Sequence, residues 1–207
     1  GIFSANPETI LRARQLPKLS YQQALLMAQF GAKVLHPRAS QPVAEKNIPM
    51  YVRCTTNSQH PGNIIANQGN PEIIVKAIVT EAATQQIVIP GYLSTSEIKR
   101  FSEQFLSLGF DELLTCQIED NYHMVLNYVN KDQVQPSDKQ LSEIFLDSQL
   151  RIKNNCALIT LVGESTAYKW IEAVIDFLNN SAPESIVAVY YGENNSRLSV
   201  LVSDTKC

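Results

Sequence analysis

Lys33 is the first residue in the chain that invites a chemical reading. It lies in Phe30-Gly31-Ala32-Lys33-Val34-Leu35-His36-Pro37-Arg38, between one helical stretch and the next. Read alone, the stretch is a helix–helix elbow with one cation in it. Most lysines so placed are solvated surface groups, so the neighbours decide. A second kind of chemistry belongs to two loops that lead from a strand into a helix, Pro90-Gly91-Tyr92-Leu93-Ser94-Thr95 and Gly163-Glu164-Ser165-Thr166. Backbone N–H groups at a helix N-terminus favour a carboxylate. Plain capped turns explain the same residues without any ligand, and both readings stand. Cys116 reads as a small apolar filler rather than a nucleophile, with no histidine near it in sequence. His36, His60 and His123 show no metal-ligand spacing, and His123 is expected at the surface of a hairpin. Tyr168 and Trp170 suit a core or a dimer face, and Tyr190-Tyr191 a sheet or a pocket wall.

Composition bounds these readings. The chain has 207 residues, 44% hydrophobic and 18% charged, with a net charge of −3. That is enough for one large core or two small ones, and it argues against a nucleic-acid or anionic-membrane partner. No apolar run approaches the roughly 18–20 residues of a membrane span. The four cysteines, Cys54, Cys116, Cys156 and Cys207, form no C-x-x-C pair, which fits free thiols in a reducing cytosol. Both ends read as cut from a longer protein: the chain opens on an apolar Gly1-Ile2-Phe3 and stops just after a strand.

The elements that would position these groups follow from period and punctuation. Ser20-Tyr21-Gln22-Gln23 is a capping box opening a helix to about Gln29, with Leu25 and Ala28 facing inward and Gly31 ending it. Pro37 suits the first turn of a second helix, to about Lys46. Ile48, Met50 and Val52 alternate as in a strand, and Thr55–Asn63 is a loop. A boundary falls between Ile65 and Glu72. Beyond it, residues 73–79 and 86–89 read as two strands. A second capping box, Ser94-Thr95-Ser96-Glu97, starts a helix with Ile98, Phe101, Phe105 and Leu108 inward. Strands at 113–118 and 122–129 form a hairpin, and Pro136-Ser137 starts a helix with Leu141, Ile144 and Phe145. The order then repeats: a strand at 157–162, a helix with Ile171, Val174, Ile175 and Leu178, and strands at 186–191 and 198–202. A strand–loop–helix–strand–hairpin–strand repeat of this kind is the signature of paired split β-α-β, ferredoxin-like modules.

Several motifs now align with one family. Gly1-Ile2-Phe3-Ser4-Ala5-Asn6-Pro7, Leu19-Ser20-Tyr21, the Phe30–Arg38 stretch, Asn47-Ile48-Pro49 and Pro61-Gly62 resemble, in order and spacing over residues 1–65, the end of the catalytic domain of aspartate kinase. That family reads G-[IV]-Y-[TS]-[TA]-D-P-R, S-Y-x-E, G-A-K-V-L-H-P-R, N-I-P and P-G-T-L-I. Its kinase domain is followed by two ACT domains, the first inserted in the second. The internal repeat fits that plan, as does the hairpin Tyr191–Ser199. The resemblance implies an α+β fold: tandem ferredoxin-like (βαββαβ) ACT domains preceded by the helical tail of an amino-acid-kinase domain. Residues 1–65 would be the tail, 84–146 the inserted first ACT domain, and 71–83 with 147–207 the second.

The resemblance further implies an enzyme that moves the γ-phosphoryl of ATP, with Mg2+, to the β-carboxylate of aspartate at the start of lysine, threonine and methionine biosynthesis. Lys33 matches the lysine that contacts ATP, with Val34 beside it, and Phe3 stands where the family has a nucleotide-contacting tyrosine. Asn6 replaces the usual Asp. Glu8 replaces an Arg, reversing a charge near phosphates that Arg12 or Arg14 would have to offset. The K-F-G-G-T-S motif and the aspartate-binding residues do not occur here, so no catalytic residue is assigned and these residues alone are expected to be inactive, with no cofactor of their own. An amino-acid effector, lysine or threonine, would bind at Gly91, Tyr92, Ser94, Thr95, Thr115 and Gln117. The loops lack the family's D-x-x-G or S-x-x-G pattern, so an ACT pair that serves only assembly or linkage to a fused enzyme stands as the alternative. A cytoplasmic homodimer paired through ACT edges is the implied state, with no nucleic acid, membrane or metal involved.

Overall fold

The computed structural model describes residues 1–32, 35, 37–57, 59–129, 134–145, 149–164, 169–181, 183–192 and 196–203. In chain order the elements are β1 (Lys18–Ser20), α1 (Tyr21–Gln29), α2 (Pro37–Glu45), β2 (Met50–Val52), β3 (Asn63–Ala66), β4 (Val75–Pro90), α3 (Thr95–Ser107), β5 (Phe110–Ile118), β6 (Asn121–Tyr128), α4 (Asp138–Ile144), β7 (Arg151–Gly163), α5 (Lys169–Ser181), β8 (Ile186–Tyr191) and β9 (Arg197–Ser203). They fall into two compact units. One comprises Gly1–Thr80 and Leu158–Val202; the other is built from Glu81–Ala157, with Ser203. Strands β4 and β7 therefore each give one part of their length to each unit.

In the Glu81–Ala157 unit the strand order is β5-β6-β4-β7, with β6 antiparallel to both β4 and β5. With α3 after β4 and α4 after β6, this is a ferredoxin-like βαββαβ module. Its core forms because alternate strand residues and helical i, i+4 residues converge on one face. Ile87, Ile89, Tyr122, Met124 and Leu126 from the sheet meet Phe101, Phe105, Leu141 and Phe145 from the helices. Phe105 stacks on Phe145 at 4.8 Å between ring centroids and meets Phe110 edge-on at 6.0 Å.

The other unit holds two sheets. The first is β1-β3-β2, with β1 parallel and β2 antiparallel to β3. The second has the order β4-β7-β9-β8. Here β7, α5, β8 and β9 repeat the pattern of the first module, and the start of β4 takes the place of the fourth strand. Its core joins Leu161, Trp170, Ile171, Leu198 and Val200, with Val75 packed against them. The mixed α+β class and the two ferredoxin-like repeats expected from the sequence are thus present.

The differences are informative. Residues 73–79 and 86–89, read as separate strands, belong to the single strand β4, in which Ala83 takes a positive φ of 55°. Between those two stretches Thr84 and Gln85 are buried within their unit: Thr84 Oγ1 donates to the Cys156 carbonyl at 3.0 Å and Gln85 Nε2 donates to Asn154 Oδ1. In α1 the fully buried residues are Tyr21, Gln23, Ala24 and Met27; Ala24 and Met27 neighbour the expected Leu25 and Ala28, which are themselves half-buried. The pairing of β1 with β3 has no short-range signal, because its partners lie far apart in sequence.

Candidate functional site

The segment before α1 is anchored by one side chain. Asn63 is fully buried; its amide donates to the carbonyls of Ile2 and Leu16 and its oxygen accepts from the Ile2 N–H at 2.9 Å. Phe3 pairs with Gln15 across an isolated bridge and is half-buried. Asn6 turns the chain by accepting from the Glu8 N–H at 3.0 Å. Glu8, Arg12 and Arg14 are all exposed. The capping box of α1 is complete: Gln23 N–H donates to Ser20 Oγ, and Ser20 N–H donates to Gln23 Oε1 at 2.9 Å. At its other end Phe30 is buried and Gly31 has φ 101°, a conformation that releases the chain from the helix. Lys33 and Val34, the expected ATP-contacting residues, lie outside the described residues, as does His36.

Of the residues expected to meet an effector, the fold gathers part around one turn. Gly91, at φ 97°, has open space where a Cβ would stand. Its N–H donates to the Asp120 carbonyl at 2.7 Å, and Gln117 Nε2 donates to the carbonyls of Gly91 at 3.3 Å and Glu119 at 2.9 Å. Tyr92 is 73% exposed. Ser94 caps α3 through its capping box, and Thr95 is the first helical residue. The Ser94 hydroxyl and N–H hold the Glu97 carboxyl below the usual carboxylate range. Thr115 lies on β5 opposite Met124, and its hydroxyl bonds Tyr122, whose phenol burial pushes up.

The β5–β6 register places Cys116 directly across from His123, a proximity that the sequence separation hides. His123 is half-buried rather than at the surface, because Val88 and Cys116 flank it on the neighbouring strands. Burial, helped by Arg151, holds its pKa below the usual imidazole value. Farther along β4, burial pushes the Glu81 carboxyl up, partly countered by the amide that Asn127 donates at 2.8 Å.

The loop after β7 holds a group the sequence reading missed. The side chain of Lys76 is 0% exposed, and its ammonium lies 3.0 Å from Glu164 Oε2. It also donates to the carbonyls of Asn70 and Ile73. Glu164 Oε2 accepts from Gln23 Nε2 at 3.2 Å, and the Glu164 N–H donates to the Ile74 carbonyl at 2.7 Å. The signal was a lysine within the apolar run Ile73–Val79, which a buried anion must answer. Among the described residues no cluster of three or more His, Cys, Asp or Glu side chains assembles that could hold a metal, and no helix is long and apolar enough to cross a membrane.

Comparison with known proteins agrees with this architecture. The amino acid kinase family matches residues 1–54. A bifunctional aspartokinase/homoserine dehydrogenase of Buchnera aphidicola is 26% identical over 98% of the chain and 26% of its own length. A chloroplastic protein of the same description from Arabidopsis thaliana is 30% identical over 81% of the chain and 20% of its own length. The chain spans about a quarter of the length of the first curated relatives it matches. Escherichia coli aspartokinase III, solved in complex with lysine and aspartate, superposes with a TM-score of 0.74 at 20% identity, over 98% of this chain and 46% of that one. By sequence the chain is similar to aspartokinases, beginning with a stretch matched by the amino acid kinase family, and by fold it superposes on an aspartokinase over nearly its whole length.

Proposed function

We propose that the chain is the regulatory portion of an aspartate kinase, the ATP- and Mg2+-dependent enzyme that phosphorylates L-aspartate to 4-phospho-L-aspartate. What supports this reading is the amino acid kinase motif running directly into two ferredoxin-like repeats, the second completed by the start of β4. Residues 1–65 are the tail of the kinase domain, 84–146 the inserted ACT domain, and 71–83 with 147–207 the other. Phe3, Lys33 and Val34 face ATP in the assembled enzyme. Phosphoryl transfer needs cations around a charge-dense transition state, and Lys33 supplies one. The catalytic motif K-F-G-G-T-S is not among these residues, so by themselves they turn over no substrate. The protein is a cytoplasmic homodimer joined through ACT edges.

An end-product amino acid binds the turn formed by Gly91, Tyr92, Ser94, Thr95, Thr115 and Gln117 and biases the kinase between two states. Lysine and threonine are the candidates; the relative from E. coli was solved with lysine. Thermal melting with lysine, threonine and methionine, each at millimolar concentration, tests this. A ligand at 100 times its dissociation constant stabilises by about 2.7 kcal/mol, and no shift with any of the three refutes effector binding. One observation favours the second reading, an ACT pair kept for assembly or linkage: the Gln117 amide is already spent on the carbonyls of Gly91 and Glu119.

A further inference from the structure

Helix α1 is held at both ends by the ferredoxin-like part of its own unit. At its first turn, Gln23 donates to Glu164, which follows β7 and is itself fixed by Lys76. At its last, the Arg197 guanidinium lies 4.8 Å from the centroid of the Phe30 ring. Arg197 opens β9 and also bonds Ser199, whose hydroxyl is hydrogen-bonded to Thr160 on β7 at 2.9 Å. Both grips therefore lead back to β7. We propose that α1 is a transmission rod: Glu164 and Arg197 set its position, and with it the position of the Phe30–Ala32 elbow that precedes Lys33. This rests on the regulatory reading above for what is transmitted, since a shift of Glu164 would then reach the nucleotide end of the kinase tail through a nine-residue helix.

Gln23 plays two roles that a substitution separates. Its Oε1 completes the capping box and its Nε2 reaches Glu164. Gln23→Glu keeps the acceptor for the Ser20 N–H, since glutamate serves a capping box as well as glutamine. It removes the donor and sets a second carboxylate against Glu164. The exchanged pair Gln23→Glu with Glu164→Gln restores one donor and one acceptor and leaves one carboxylate in the cluster. Glu164 is here a positioning residue, not a catalytic one.

The test is hydrogen exchange on the 207-residue chain. Gln23→Glu is expected to speed exchange at least about tenfold at the amides of Phe30, Gly31 and Ala32, while α3 in the other unit stays within about twofold of the parent. Those amides donate to the carbonyls of Leu26, Ala28 and Met27, all within α1, so they report its far end. The exchanged pair is expected to recover most of the lost protection. Faster exchange confined to residues 21–24, equal acceleration in α3, or an exchanged pair no better than Gln23→Glu would each overturn the proposal. If exchange behaves as expected but no amino acid shifts the melting point, α1 remains the rod and effector control is the part that fails.

Discussion

Glu164→Gln should unfold the unit that contains it at markedly lower denaturant, and the size of the loss follows from what surrounds Lys76. The lysine side chain is 0% exposed, and among the described residues its charge is balanced by Glu164 at 3.0 Å, with two backbone carbonyls beside it. The substituted carboxamide is isosteric but neutral, so the ammonium would stay buried with dipoles alone. Breaking a buried ion pair on one side costs about 3–5 kcal/mol, because the remaining charge has lost its hydration and its counter-charge together. Glu164 itself is 27% exposed, so water already screens part of the pair. Discounted below that range for the screening, about 2–3 kcal/mol is the expected loss. For a chain of this length each kcal/mol moves the melting point by about 2–4 °C, giving a drop of about 4–12 °C. Trp170, the one tryptophan in the sequence, is buried in the same unit, so its fluorescence through a urea titration reads this loss directly.

The asymmetry of the pair sharpens the test. Lys76→Met removes the buried charge and leaves a partly exposed carboxylate that water and Gln23 still solvate, so it should cost less than Glu164→Gln. Replacing both, Lys76→Met with Glu164→Leu, should be nearer to neutral than Glu164→Gln alone, since apolar isosteres of buried ion pairs often match or exceed their stability. A loss under about 0.5 kcal/mol for Glu164→Gln, or a larger loss for Lys76→Met, would mean that the ammonium is hydrated and that the buried-charge account of the cluster is wrong.

Three further outcomes are expected. Asn63→Ala strands the Leu16 carbonyl and the Ile2 N–H in a buried place, while the Ile2 carbonyl keeps the Leu16 N–H, so it should cost about 2–4 kcal/mol by urea unfolding, with residues 1–16 the first to become protease-sensitive. Gly163→Ala puts a Cβ 2.5 Å from Trp170 Cζ2, and it should lower stability by about 1–3 kcal/mol and shift the tryptophan emission as the ring moves aside. The pH dependence of the Glu81–Ala157 unit should have two limbs. With the His123 pKa held down in the fold, its contribution is complete above the unfolded value of 6.5 and is lost as pH falls from there towards the folded value; with the Glu81 pKa raised, stability falls as pH rises from 4.5 through the folded value. His123→Gln should flatten the first limb and Glu81→Gln the second, read by urea midpoints at a series of pH values.

What was legible in the sequence was what neighbours in sequence decide. The capping boxes at Ser20 and Ser94 form as expected because each needs only a hydroxyl and a carboxamide or carboxylate three residues on, and the helix start expected at Ser137 proves to be closed by a third. The aromatic face of α3 reads correctly because Phe101 and Phe105 are one helical turn apart and no polar partner competes for the face. Errors arose where a distant group changed the sign of burial. On α1 the inward face includes Gln23, which looks like a surface residue until Glu164, far along the chain, gives its amide an acceptor. On β4 the residues between 79 and 86 show no strand pattern, yet Thr84 and Gln85 continue the strand because β7 supplies their partners.

The same logic explains why the site was only half readable. The turn at Gly91 is local, and so its place beside the start of α3 could be expected. Gln117 joins it because β5 and β6 form a hairpin whose end at Glu119-Asp120 returns to the loop after β4. The Lys76 cluster is the opposite case: its members come from the kinase-like tail, from the start of β4 and from the end of β7, three segments that meet only because β4 stands in for the fourth strand of the later repeat. A lysine in an apolar strand signals that an anion is near without saying which. The topology decides that it is Glu164, and thereby ties the tail to the ferredoxin-like part of the same unit through a charge that neither could bury alone.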